Sequence, residues 1–96
     1  MEFEWDDAKD RSNQLKHGVS FAEARRLFES GADYLEIFDA EHSDVEDRFI
    51  AIGPLDRGLV VVVYTERDEE RIRIIGARLA NKREQSLYHS HVGARK

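Results

Sequence analysis

The sequence predicts an α+β fold, a single antiparallel-dominated sheet with its helices packed on one side, in the order β-α-α-β-β-β-β-α. Three observations predict it. Two helix-start signals, Asp6 and Ser20, lie in the first thirty residues. From Asp33 to Arg78 the apolar period is two. A further start at Asn81 and Glu84 opens one last helix. An order in which strands follow one another fits one sheet carrying its helices.

Each element has a local cause. E-F-E-W at 2–5 alternates as a short half-buried strand would. Asp6 caps a helix running to His17, with Ala8 and Leu15 expected inward and Gly18 as its stop. S-F-A-E at 20–23 is a capping box, in which Ser20 accepts from the Glu23 amide and Glu23 reaches back. The helix it opens carries Phe21, Ala24, Leu27 and Phe28 on one face, and Gly31 ends it. Strands are expected over 33–39, 46–53, 58–67 and 71–78; V-V-V-V in the third of these reads as a central strand. P-L-D-R-G at 54–58 and R-D-E-E at 67–70 are the turns of an antiparallel meander. Leu87 and Tyr88 dock the last helix, and 89–96 are expected to fray.

The 96 residues fit one domain spanning 1–96, with 41% apolar residues to build a modest core. No stretch approaches the roughly 20 apolar residues of a membrane span, and the acidic start lacks the features of a secretory signal, so the cytoplasm is the expected compartment. Without cysteine there is no disulfide, thiolate metal site or sulfur nucleophile. The net charge of −5 is uneven: −9 through Asp56 and +4 from Arg57 onward. Such a chain can attract an anion on one side, or a basic partner on the other.

R-I-R-I-I-G-A-R at 71–78 carries the most chemistry. Arg71 and Arg73 share one strand face, Ile72 and Ile74 the other, and Gly76 permits a bulge that leaves the parity of Arg78 open. The arginines either pair with carboxylates across strands, such as Glu66 or Glu46, or hold an anion. A phosphodiester suits them. Guanidinium binds phosphate through paired hydrogen bonds, keeps its charge, and stabilises the phosphorane of RNA cleavage without a metal, because RNA supplies its own 2′-OH nucleophile. His17, Glu46, Tyr64 or Tyr88 could serve as base or acid, and no spacing decides among them. His17 equally suits a C-terminal helix cap; His42 is a loop residue, and His89 and His91 have no ligand set of metal spacing around them. P-loop, dinucleotide and serine-hydrolase motifs are absent.

F-E-W-D-D-A-K, N-Q-L-K-H-G-V-S-F-A-E-A, E-D-R-F-I-A-I-G, V-V-Y-T-E-R, I-R-I-I-G-A-R and K-R-E-Q-S-L-Y resemble, in order and spacing, the successive motifs of the BrnT toxins of bacterial type II toxin-antitoxin systems. The resemblance covers almost the whole chain. It implies a RelE-like, microbial-ribonuclease-type fold and a metal-independent endoribonuclease, without cofactor, that stops growth by cutting RNA. It also implies a BrnA-type antitoxin with a ribbon-helix-helix domain that contacts DNA, and it leaves room for a homodimer within the complex. Carried over by position, the family's motifs point to His17, to Glu46 with Arg48, to Thr65 with Arg67, to Arg73 with Arg78, and to Glu84. One departure stands out. Where the family commonly reads I-I-S-A-R, this chain has Gly76 in place of the serine, which implies an attenuated toxin if that hydroxyl contributes. An alternative is a non-enzymatic binding module acting with its antitoxin in operon regulation.

Overall fold

The computed structural model describes residues 1–94. Strand β1 (Glu2–Glu4) leads into helices α1 (Asp7–His17) and α2 (Phe21–Glu29). Strand β2 (Leu35–Phe38), a single 3-10 turn (Ala40–His42), and strands β3 (Phe49–Leu55), β4 (Gly58–Asp68) and β5 (Arg71–Leu79) follow, then helix α3 (Lys82–Ala94). One five-stranded sheet has the order β1-β5-β4-β3-β2. Only β1 runs parallel to its neighbour, pairing Glu2 with Arg71 and Glu4 with Arg73; the other pairs are antiparallel. Fold class and element order are as the sequence predicts, except that the helices do not all pack on one side.

The alternation along β4 divides the molecule. Val60, Val62 and Tyr64 face α2 and form the main core with Phe21, Ala24, Leu27, Ile72, Ile74 and Ala77. Phe28 sits among the rings of Phe3, Tyr34 and Tyr64, at centroid distances of 5.0–5.7 Å. β3 comes close to α2 at Gly53, where a Cβ would lie 2.6 Å from Leu27 Cδ1 and 2.8 Å from Tyr34 Cβ. Val61 faces the other way and joins Ile52, Ala80, Leu35, Ile37, Ile50, Leu59 and Tyr88 in a second cluster. Tyr88 belongs to α3, so the last helix covers the face opposite α2 instead of joining the other two helices. The cause is local: after β5 the chain turns at Ala80, whose amide donates to Leu59 O, and α3 crosses toward β2, where Tyr88 Oη donates to Asp33 O at 2.9 Å.

Four further details depart from the sequence reading. Leu15 is 91% exposed and Ala8 is exposed. α1 docks instead through polar side chains: Asp10 accepts from the Phe21 amide at 2.8 Å, and Asn13 donates to Val19 O and Ala77 O while accepting from Ala77 N. Because β1 pairs with β5 only as far as Arg73, the Asn13 amide acts as a one-residue strand on the remaining edge of β5. Ser20 caps α2 as expected, but Glu23 turns to Arg57, which holds both its carboxylate oxygens at 3.0 Å. β3 begins at Phe49, so Glu46 and Arg48 stand on the loop before it. Residues expected to fray continue α3 to Ala94, and the last two of them lie outside the described residues.

Candidate RNA-binding site

The site lies at the end of the sheet where β4 turns into β5, on the same face as α3 but beyond the part that helix covers. Two irregularities of the ladder set the side chains there. Arg67 is an extra residue between the pairs Glu66–Ile72 and Asp68–Arg71. Ile75 is an extra residue between Tyr64–Ile74 and Val63–Gly76, and this bulge reverses the parity beyond it. Arg78, opposite Val61, therefore lands on the same face as Arg73, opposite Thr65.

Thr65 is 2% exposed, and its hydroxyl donates to Asp47 O at 2.6 Å. That bond ties down the loop carrying Glu46 and Arg48, as do the Arg48 amide on Ser43 Oγ and the Asp39 amide on Arg48 O. Extending the β3–β4 register by one residue puts Arg48 opposite Thr65. Arg48, Thr65, Arg73 and Glu4 then form one row across four chain segments, and Arg48 and Arg73, two segments apart, are about 10 Å apart at their Cα atoms.

Ion pairs cluster along this row. Arg73 donates to Glu4 at 2.8 Å; Arg67 stands 3.7 Å from Glu4 and 3.7 Å from Glu46; Arg71 stands 3.6 Å from Glu4 and 3.8 Å from Glu2. Arg48 differs. Among the described residues it has no carboxylate partner, and its Nε is buried without a hydrogen bond. With Glu46 it lines an open pocket of about 470 Å³, together with Glu41, His42, Asp44 and Val45. His42 Nδ1 is 2.9 Å from Asp39 Oδ2. Among the described residues no three His, Asp or Glu side chains gather as a metal site.

Two residues singled out in the sequence fall elsewhere. His17 closes α1 beside Gly18, whose carbonyl accepts from Arg57 in the β3–β4 turn, at the far end of β4 from Arg67. Ten residues of strand separate Arg57 from Arg67, roughly 30 Å. Arg78 shares the face of Arg73 but forms a two-bond pair with Glu84, both bonds 2.7 Å. Glu84 also accepts from the Asn81 amide and gives its own amide to Asn81 Oδ1, a reciprocal capping box for α3. The pair raises the pKa of Arg78 and lowers that of Glu84.

Of the four candidate proton carriers, only Glu46 adjoins the arginines. Tyr64 is buried in the main core with its hydroxyl on Glu36, and burial followed by that carboxylate pushes its pKa far up. Tyr88 is committed to Asp33 O. The sequence reading missed Glu4 and Asn13. E-F-E and R-I-R carry complementary period-two patterns, but no local signal reveals that these two strands pair. Asn13 in mid-helix was visible as a poor helix former needing a partner.

Residues 5–84 match the family model for the ribonuclease toxin BrnT of type II toxin-antitoxin systems. The 1.1 Å crystal structure of the Brucella abortus ribonuclease toxin BrnT superposes with a TM-score of 0.62 at 25% identity, over 85% of this chain and 99% of that one. No curated protein matches the chain in sequence. The chain belongs to the BrnT family of ribonuclease toxins of type II toxin-antitoxin systems.

Proposed function

We propose that this protein is a metal-independent endoribonuclease acting in the cytoplasm, that it arrests growth by cutting RNA, and that a BrnA-type antitoxin neutralises it. The observation that carries the reading is the half-buried Arg48, whose Nε has no hydrogen-bond partner, on one row with Arg73 and on one pocket with Glu46, which Arg67 approaches to 3.7 Å. Leaving a buried N–H unpaired costs about 1–3 kcal/mol, and a turn of the Arg48 side chain onto a phosphate oxygen would recover that cost.

The chemistry needs few groups. Arg48 and Arg73 hold the scissile phosphodiester, with Arg67 alongside. Glu46 takes the proton of the 2′-OH as that oxygen bonds to phosphorus. The P–O5′ bond breaks, the 5′ oxygen takes a proton from water, and a 2′,3′-cyclic phosphate remains. The arginines stabilise the extra negative charge of the phosphorane. Thr65 acts through the loop it fastens. Arg78 with Glu84 anchors α3, and His17 stands in the last turn of α1; neither touches substrate in this scheme. A partner carboxylate that reached Arg48, which has none of its own among the described residues, would block the anion site and so neutralise the protein.

A second reading, a binding module without activity, is favoured by Gly76 and by the engagement of Arg73 with Glu4. Expression of the chain without antitoxin separates the two. The ribonuclease reading expects growth arrest and RNA loss that disappear in folded Arg48→Ala and Arg73→Ala variants; harmless expression of the soluble wild type would favour the second.

A further inference from the structure

We infer that Glu4 is the positioning residue of the anion site, an internal carboxylate that gathers three arginines and yields Arg73 to an RNA phosphate. This rests on the ribonuclease reading of that face and names a residue it does not contain. The geometry is specific to Glu4. Its two oxygens take Arg73 at 2.8 Å, Arg67 at 3.7 Å and Arg71 at 3.6 Å. These arginines come from the end of β4 and the start of β5, and nothing in the local backbone would hold three like charges together. The parallel pairing of β1 with β5 puts Glu4 directly beside Arg73.

Glu2 lies on the same face of the same strand, yet it reaches only Arg71, at 3.8 Å, and is 74% exposed. Removing its charge changes the net charge as much as removing that of Glu4, without freeing Arg73. It is therefore the control for any general electrostatic effect.

A carboxylate in this place has two consequences of opposite sign. It competes with phosphate, which weakens binding of the ground state. It also keeps the guanidinium groups convergent, which favours the more highly charged transition state. Glu4→Gln should therefore split the kinetic constants: KM for RNA falls about threefold as Arg73 is released, while kcat falls about tenfold as the arginines spread. Glu4→Asp, which keeps the charge, should recover part of kcat. A merely structural role would lower thermal stability and would not lower KM.

The test pairs steady-state RNA cleavage with fluorescence anisotropy of an uncleavable 2′-O-methyl octanucleotide over a range of salt. For Glu4→Gln the account expects tighter binding, with a salt slope steeper by about 0.7, one more phosphate contact on a single strand; Glu2→Gln should match wild type. Equal tightening in both variants, or unchanged binding and kinetics in Glu4→Gln, overturns the inference while leaving the ribonuclease reading intact. Tighter binding by Glu4→Gln with no cleavage by wild type supports the anion site and overturns the enzymatic reading. No binding by any form overturns both.

Discussion

The pairing of Arg78 with Glu84 makes a quantitative prediction, because it decides whether Arg78 serves the fold or the substrate. The perturbations are Arg78→Met, which keeps the stem and removes the charge, and Glu84→Gln, which keeps an acceptor for the Asn81 amide. Two charge-assisted hydrogen bonds of 2.7 Å join the residues, with side chains 39% and 16% exposed. A charged hydrogen bond contributes about 1.5–3 kcal/mol, and the exposure of Arg78 reduces this through solvent screening. Each single variant should lose about 2 kcal/mol, and the double variant about 1–2 kcal/mol less than the sum of the two. For a domain of this size each kcal/mol lowers Tm by about 4–8 °C. Urea unfolding of the four proteins at neutral pH measures the cycle. The folded pKa of Glu84 lies below its ordinary value of 4.5, so its contribution is complete above that value and is lost as pH falls through the lower, folded pKa. Glu84→Gln should lack that part of the acid destabilisation. Zero coupling, or loss of RNA cleavage in Arg78→Met at unchanged stability, would refute the reasoning and return Arg78 to the substrate.

Three shorter predictions follow from other contacts. Asn13→Ala removes three hydrogen bonds and leaves Val19 O and both backbone groups of Ala77 without that partner; it should cost about 2–4 kcal/mol and speed hydrogen exchange at the Ala77 amide, and protection equal to wild type would count against the strand-edge role. Gly53→Ala forces a methyl against Tyr34 Cβ at 2.8 Å and should destabilise by about 1–3 kcal/mol in urea unfolding. At Gly76 the nearest atoms to a new Cβ, Asn13 Oδ1 and Val63 Cβ, are 4.0 Å away, so Gly76→Ser should change stability by less than about 0.5 kcal/mol. If that hydroxyl takes part in cleavage, the RNA cleavage rate rises with it, and an unchanged rate dismisses Gly76 as the cause of attenuation.

What was legible in the sequence followed from periodicity and capping chemistry. The period-two run gave the meander, and Ser20 and Asn81 marked the starts of α2 and α3. What was not legible involved contacts between distant segments. The apolar spacing of Ala8 and Leu15 suggested an inward face for α1, but the helix is held by Asp10 and Asn13, whose partners lie on α2 and β5. The bulge at Ile75 puts Arg78 on the face of Arg73, which strict alternation over five residues could not do. Capping chemistry then accounts for Arg78: the Glu84 that caps α3 is also its partner. At the site, Arg48, Arg67, Arg73 and Glu46 were named from the chain and are brought together by the fold. Glu4, which contacts Arg67 and Arg73 there, depends on a parallel pairing that composition does not encode.

The central claim, that the arginine row supports metal-free cleavage by the RNA's own 2′-OH, is tested most directly by the chemistry of the product ends. Purified protein, free of partner, is incubated with end-labelled RNA in EDTA beside folded Arg73→Ala. The account predicts fragments ending in 2′,3′-cyclic phosphate with 5′-hydroxyl downstream ends, formed by the wild type and not by the variant. Fragments with 3′-hydroxyl and 5′-phosphate ends, cleavage only on adding a divalent cation, or equal cleavage by Arg73→Ala would contradict it.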